Sequence, residues 1–199
     1  MKKIALTGDK GGVGKSTISA LLVQWFLYKD FSINVLDADP NRTISTWIEK
    51  CKSSGFDFCT INNPEILIID TAGTSGAGLI KHIRESDLII IPFQPHIADL
   101  EIVVGWYLSV NSLIQKKTIF FPNRLEITNE QKEGIFQVDK IIQEQSNGII
   151  LPGLGNRPAV YPALLNALSQ NYFSTVKNEK VLNELRSNFT IIEEQLFKG

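Results

Sequence analysis

The chain has 199 residues, 43% of them hydrophobic, enough for one sizeable core and too few for two. Its formal net charge is −1 and its sequence pI about 6.1, which excludes a globally basic nucleic-acid binder and leaves any DNA contact to a local patch. No apolar run approaches the roughly 20 residues that a bilayer-spanning helix needs.

The opening Met1-Lys2-Lys3-Ile4-Ala5-Leu6 reaches Gly8-Asp9-Lys10 too soon for a signal peptide, so a cytoplasmic protein is expected. Ile4–Thr7 reads as a short buried strand that runs into a glycine loop. Over Ser16–Lys29 the apolar Ile18, Leu21, Leu22, Trp25 and Phe26 recur at helical spacing. Ile33–Leu36 predicts a second strand and Thr43–Lys52 a second helix. Cys51 and Cys59 have neither CxxC spacing nor nearby histidines and read as reduced thiols. Ile66–Ile69 is continuously apolar between Pro64 and Asp70, as suits a strand covered on both faces of a parallel sheet. Leu88–Ile91 and Thr118–Phe121 repeat that pattern, with a helix predicted over Asp99–Leu113 between them. Gly148–Leu151 predicts a last strand, and helices follow at Ala159–Leu168 and Asn178–Leu196. Trp25, Trp47 and Trp106 fall in helical apolar patterns and read as core or interface residues, while His82 and His96 read as helix-surface or loop histidines.

This alternation predicts an α/β fold, a doubly wound and mostly parallel sheet with helices on both faces, forming one domain over residues 1–199. Ligands of such sheets sit at the carboxyl ends of the strands, so chemistry is expected just after each strand. The first such place holds Lys10-Gly11-Gly12-Val13-Gly14-Lys15-Ser16-Thr17. Glycines there let backbone N–H groups approach phosphate oxygens, and the start of the next helix adds a dipole that favours anions. Lys15 can reach the β- and γ-phosphates, and the Ser16 hydroxyl can ligate Mg2+. Against the general pattern G-x-x-x-x-G-K-[ST], the first glycine position is Asp9, which places a negative charge near the phosphates.

With its early Lys10, the loop resembles the deviant Walker A box of the ParA/MinD family, and the likeness is strongest to the short plasmid-partition ATPases (ParF-like). The resemblance implies a P-loop ATPase that uses ATP and Mg2+ and in which Lys10 reaches across a dimer to the partner's phosphates. Asp37-Ala38-Asp39-Pro40 is similar to the family's D-x-D-P box, here followed by Asn41 instead of the usual Gln. By that likeness Asp39 orients or activates the attacking water and Asp37 supports the Mg2+ shell; without it, Asp-Pro also makes an ordinary helix-capping turn. Asp70-Thr71-Ala72-Gly73 ends an apolar strand in a carboxylate, the Walker B arrangement, which holds Mg2+ directly or through water. Gly73, Gly76 and Gly78 predict a mobile loop able to respond to the γ-phosphate.

Pro92-Phe93-Gln94-Pro95 matches a proline-bearing segment of partition ATPases, and Asn123-Arg124 falls where family members contact the base. The likeness extends through Pro158. Because the phosphate loop starts near residue 10, no helix-turn-helix extension is expected before it. Over Asn178–Gly199, Val181, Leu185, Phe189, Ile192 and Leu196 share one face, while the polar face mixes Glu184, Glu193 and Glu194 with Lys180, Arg186 and Lys198. That predicts docking against the domain and no membrane contact. The resemblance further implies an ATP-dependent homodimer, non-specific DNA binding that places the ATP-bound form on the nucleoid, and a ParB-like activator that stimulates hydrolysis. The candidate DNA contacts are Arg157, Lys177, Lys180 and Arg186. Plasmid or chromosome segregation is the favoured task. The same engine could instead serve conjugation or position an organelle or protein cluster. A metabolic P-loop ligase, such as a dethiobiotin-synthetase-like enzyme, would share the fold and leave Lys10 incidental.

Overall fold

In the computed structural model, strands β1 (Lys2–Leu6), β2 (Ile33–Ala38), β3 (Ile66–Thr71), β4 (Leu88–Phe93), β5 (Thr118–Pro122) and β6 (Gly148–Ile150) alternate with helices. These helices are α1 (Lys15–Tyr28), α2 (Thr43–Ser53), α3 (Ala77–Glu85), α4 (Ile97–Asn111) and α5 (Asn129–Gln145). A 3-10 turn at Pro162–Asn166, the short α6 (Tyr172–Thr175) and α7 (Glu179–Phe197) follow. The structure describes residues 1–59, 62–73, 77–111, 118–126, 128–145, 148–166 and 172–198. The strands form one sheet in the order β2-β3-β1-β4-β5-β6, and every pairing is parallel. β1 is therefore central, and the glycine loop leaves the middle of the sheet's carboxyl edge. Leu6 stands in register with Asp70, and Asp70 with Asp37, so one edge collects the ends of three strands.

Burial on both faces explains the continuous apolar runs. Leu88 and Ile90 of β4 pack with α1, α2 and α7, while Ile89, Ile91 and Phe93 pack with α4 and α5. β5 divides in the same way, Ile119 and Phe121 against Phe120. Helix α1 lies almost wholly inside, with Leu21, Leu22, Val23, Trp25 and Phe26 all buried. Trp47 and Trp106 are buried as well. Cys51 and Cys59 are free thiols, and burial raises both, Cys59 to about 11, so they remain protonated.

The predicted docking of α7 is observed: Val181, Leu185, Phe189, Ile192 and Leu196 are all buried. The Asn178 side chain caps the helix by accepting from the N–H groups of Lys180 and Val181. Inside α7, the fully buried Asn188 accepts from Gly153 N–H (2.8 Å) and donates to the carbonyls of Gly153 (2.9 Å) and Glu184 (2.7 Å). Asn188→Ala would leave the Gly153 groups buried without a partner. It is expected to destabilise the fold by about 1–3 kcal/mol, read as a lower urea midpoint at unchanged slope.

Four elements differ from the sequence expectation, the four-residue α6 being one that no periodicity announces. Helix α5 goes unannounced because its buried stripe, Gln131, Gly134, Val138 and Ile142, has an amide and a glycine in place of apolar residues. Gly134 is required there, since a Cβ would lie 2.5 Å from the Pro95 carbonyl oxygen. Helix α3 arises within a glycine-rich stretch. The helix expected over Ala159–Leu168 is instead a turn on the Arg157 carbonyl followed by the 3-10 segment, because Pro162 brings no N–H and only Leu164 of that segment is buried. Residues 167–168, and 112–113 at the predicted end of α4, lie outside the described residues.

Candidate nucleotide-binding site

Residues 8–14 bridge β1 and α1. Gly14 closes the loop at φ +98, a left-handed conformation, and a Cβ there would meet the Asn123 amide. Its carbonyl then accepts the first helical bond, from Ile18 N–H at 2.9 Å. Lys15 opens α1 and is only 7% exposed; its ammonium donates to the Lys10 carbonyl at 2.9 Å. Burial lowers its pKa, against the opposing pull of Asp70, Asp39 and Asp9. A triphosphate in the loop would complete what these carboxylates begin and hold the lysine charged. Asp9, the residue in place of the usual glycine, is exposed beside this lysine.

Asp70 lies one residue before the end of β3 and is 1% exposed. Its Oδ1 accepts from the Ser19 hydroxyl at 3.0 Å, and Oδ2 is buried with no hydrogen-bond partner among the described residues. Burial pushes its pKa up to about 6, even though the Ser16 and Ser19 hydroxyls and the Lys15 charge favour ionisation; nearby Asp37 adds to the rise. An orphaned carboxylate oxygen beside a serine hydroxyl is a hard-oxygen set that fits Mg2+. Among the described residues no three His, Cys, Asp or Glu side chains converge to hold a metal. A cation here would take its remaining ligands from phosphate and water, as Mg2+ characteristically does.

The two carboxylates at the end of β2, Asp37 within it and Asp39 just past it, divide the local work. Asp37 accepts from the N–H groups of Asp39 (3.0 Å) and Ser45 (2.9 Å), so it, and not Asp39, caps the entry to α2. Asp39 stabilises the turn through Asn41 N–H (2.9 Å) and stays half-buried at the rim, where its charge reaches Lys15. Lys10 pairs through its side chain with Asp99 in the first turn of α4 and stays 30% exposed. No sequence motif marks Asp99; the one hint is a carboxylate in the first turn of the helix after β4. Gly73, just past Asp70, lies against the loop: a Cβ would stand 3.1 Å from the Gly11 nitrogen and the Lys10 carbonyl oxygen. Residues 74–76, including Gly76 of the predicted mobile loop, lie outside the described residues.

Beyond the phosphate loop, a cavity of about 420 Å³ runs past Gly14, Thr17, Asn123 and Arg124 to Arg157 and Tyr161. Asn123 is buried and its amide donates to the Val13 carbonyl at 2.8 Å, bracing the loop from the end of β5. Arg124, at φ +57, is exposed on the cavity rim. Of the four candidate DNA contacts, Lys177, Lys180 and Arg186 are exposed. Arg157 is set apart from them, its guanidinium paired with Glu184 at 2.5 Å.

A central strand leading through a glycine loop into a helix, with a buried aspartate on the adjacent parallel strand, defines a P-loop nucleotide-binding protein. The family model for the CobQ/CobB/MinD/ParA nucleotide binding domain (CbiA) matches residues 4–191, and the chain belongs to that family. A protein of Rhizobium radiobacter named Protein ParA is 26% identical over 117 residues, 51% of this chain and 53% of that one, so the chain spans about half the length of this curated relative. Among solved structures, a Borrelia burgdorferi B31 protein ascribed to plasmid partition and bound to AMPPNP superposes with a TM-score of 0.72 at 17% identity, covering 97% of this chain and 98% of that one. The septum site-determining protein MinD of Pyrococcus horikoshii OT3, complexed with Mg-ADP, gives 0.66 at 12% identity over 92% and 93%. At these identities the likeness is one of fold. Among the described residues no helix is long and apolar enough to cross a membrane.

Proposed function

We propose that this chain is an ATP- and Mg2+-dependent ATPase that works as a dimerisation switch in the partition or positioning of a cargo, with plasmid or chromosome segregation favoured. The observation that carries this reading is the division of labour between two lysines on one loop. Lys15 is buried and donates to the loop's own Lys10 carbonyl, whereas the Lys10 side chain, 30% exposed, is held apart on Asp99; this separation supports one lysine for the chain's own nucleotide and one for a neighbour's. When bound, Mg2+ neutralises charge developing between the β- and γ-phosphates. Ser16 and Asp70 would hold it, with Asp37 behind them. Asp39 orients the attacking water, and backbone N–H groups of residues 11–15 receive the phosphate oxygens. Transfer of Lys10 from Asp99 to the partner's phosphates couples ATP binding to association, and a ParB-like activator resets the switch by stimulating hydrolysis.

A dimer-dependent ATPase loses specific activity on dilution. Wild-type turnover per chain is expected to rise with protein concentration until the dimer saturates, and Lys10→Ala is expected to show low turnover at every concentration. Constant specific activity down to the monomer regime would favour a monomer-competent metabolic enzyme instead.

The exposed Lys177, Lys180 and Arg186 supply the local basic patch for DNA. In the ATP-bound dimer, non-specific duplex binding is expected to weaken with salt. Lys180→Ala with Arg186→Ala should make the log–log salt slope shallower by about 1 per lost contact, and an unchanged slope would remove this surface from the DNA interface.

A further inference from the structure

The outer wall of the nucleoside cavity comes from residues 155–162, and this segment is fastened to α7 by one carboxylate. Glu184 accepts from Arg157 Nε (3.2 Å) and Nη2 (2.5 Å), from the Tyr161 hydroxyl (2.8 Å) and from Gly155 N–H (3.2 Å). Asn188, one turn further along α7, ties down Gly153 in the same stretch. Arg157 lines the cavity that opens from Gly14 and Thr17, and Tyr161 lines it too. A guanidinium held along one edge by two hydrogen bonds has a fixed plane, and its faces are then suited to stack on a flat aromatic ring.

We propose that Arg157 is a nucleobase-stacking residue of the ATP site and that Glu184 is the positioning residue that fixes its plane. The inference rests on the nucleotide-site reading above and refines it. It takes Arg157 out of the DNA surface, because its charge is matched by Glu184 and the residue lines the cavity. It also gives α7 a part in nucleotide recognition that its apolar docking face does not suggest.

The test compares a ligand with a base against one without. ADP with Mg2+ and inorganic tripolyphosphate with Mg2+ are titrated calorimetrically into the wild type, Arg157→Lys and Glu184→Gln. Arg157→Lys keeps a cation for Glu184, so the wall retains its ion pair while the planar face is lost. Glu184→Gln keeps the length of the side chain but leaves one acceptor oxygen in place of two, so the fork that fixes the arginine is lost. ADP affinity is expected to fall about tenfold or more in Arg157→Lys and in the same direction, by less, in Glu184→Gln. Tripolyphosphate affinity should stay within twofold in both. Equal losses for the two ligands, or no loss for ADP, in variants with wild-type urea midpoints would overturn the assignment. A wild type that binds neither ligand would overturn the nucleotide reading itself, and Arg157 with it.

Discussion

Asp39→Ala is expected to slow ATP turnover by about 100-fold or more while ATP binding and ATP-driven association persist. The carboxylate is half-buried at the rim of the loop and within electrostatic reach of Lys15, so truncation removes the group that would orient water without touching the phosphate cradle. The turn itself survives, because Asp39 N–H still donates to Asp37 and the Asp39 carbonyl still accepts from Arg42. Only the bond from Asn41 N–H to the side chain is lost, a structural cost of about 1 kcal/mol. The variant should therefore accumulate as an ATP-bound dimer, seen as slow phosphate release in a single turnover together with a persistent dimer in sedimentation. Turnover within a few-fold of wild type would remove Asp39 from the chemistry and leave it as a turn residue.

Asp70→Asn separates stability from function. An ordinary aspartate titrates near 3.8, and burial raises Asp70 to about 6. Between those values the folded protein binds more protons at this site than the unfolded chain, so this group's contribution to stability falls as pH rises from about 4 to about 6 and stays low above that. The cost of holding the ionised, unliganded carboxylate at neutral pH is on the order of 2–3 kcal/mol. Asp70→Asn keeps the shape and still lets Ser19 donate to the side-chain oxygen, so the nucleotide-free variant should match or exceed wild-type stability above pH 6 and lack this part of the pH dependence. The same change removes the anionic ligand for Mg2+ and is expected to lower turnover by on the order of a thousandfold. Urea unfolding of both proteins at pH 5 and pH 7.5, without nucleotide, reads the first effect. A wild type that is no less stable relative to the variant at the higher pH would contradict the burial argument.

The sequence disclosed what is local and left unread what is assembled from afar. The loop 10–17 is legible because a phosphate cradle needs glycines and a lysine at fixed short spacing. Asp70 is legible because it ends a strand apolar on both faces. The α7 face is legible because five apolar residues recur at helical intervals, and the buried Asn188 among them does not break that period. Helix α5 is not, since close packing against Pro95 demands Gly134 and a hydrogen-bonded Gln131 fills another buried position. Asp99 lies 89 positions from Lys10, and Glu184 lies 27 from Arg157. Neither carboxylate carries a motif, and only the fold brings each to its cation. Ser19 is similar: it reads as one more small residue in a helix until its hydroxyl is found on Asp70, 51 positions away. Arg157, a candidate DNA contact by family resemblance alongside Lys177, Lys180 and Arg186, differs from them in its ion pair with Glu184.

The central claim is that a triphosphate in the glycine loop draws Lys10 from its own Asp99 to a second copy of the chain. Sedimentation velocity with Mg2+ and either ADP or a non-hydrolysable ATP analogue tests it most directly, on the wild type and on Lys10→Ala. The prediction is a wild-type monomer with ADP, a wild-type dimer with the analogue, and a monomer in both conditions for Lys10→Ala. An identical oligomeric state in all four samples would contradict it.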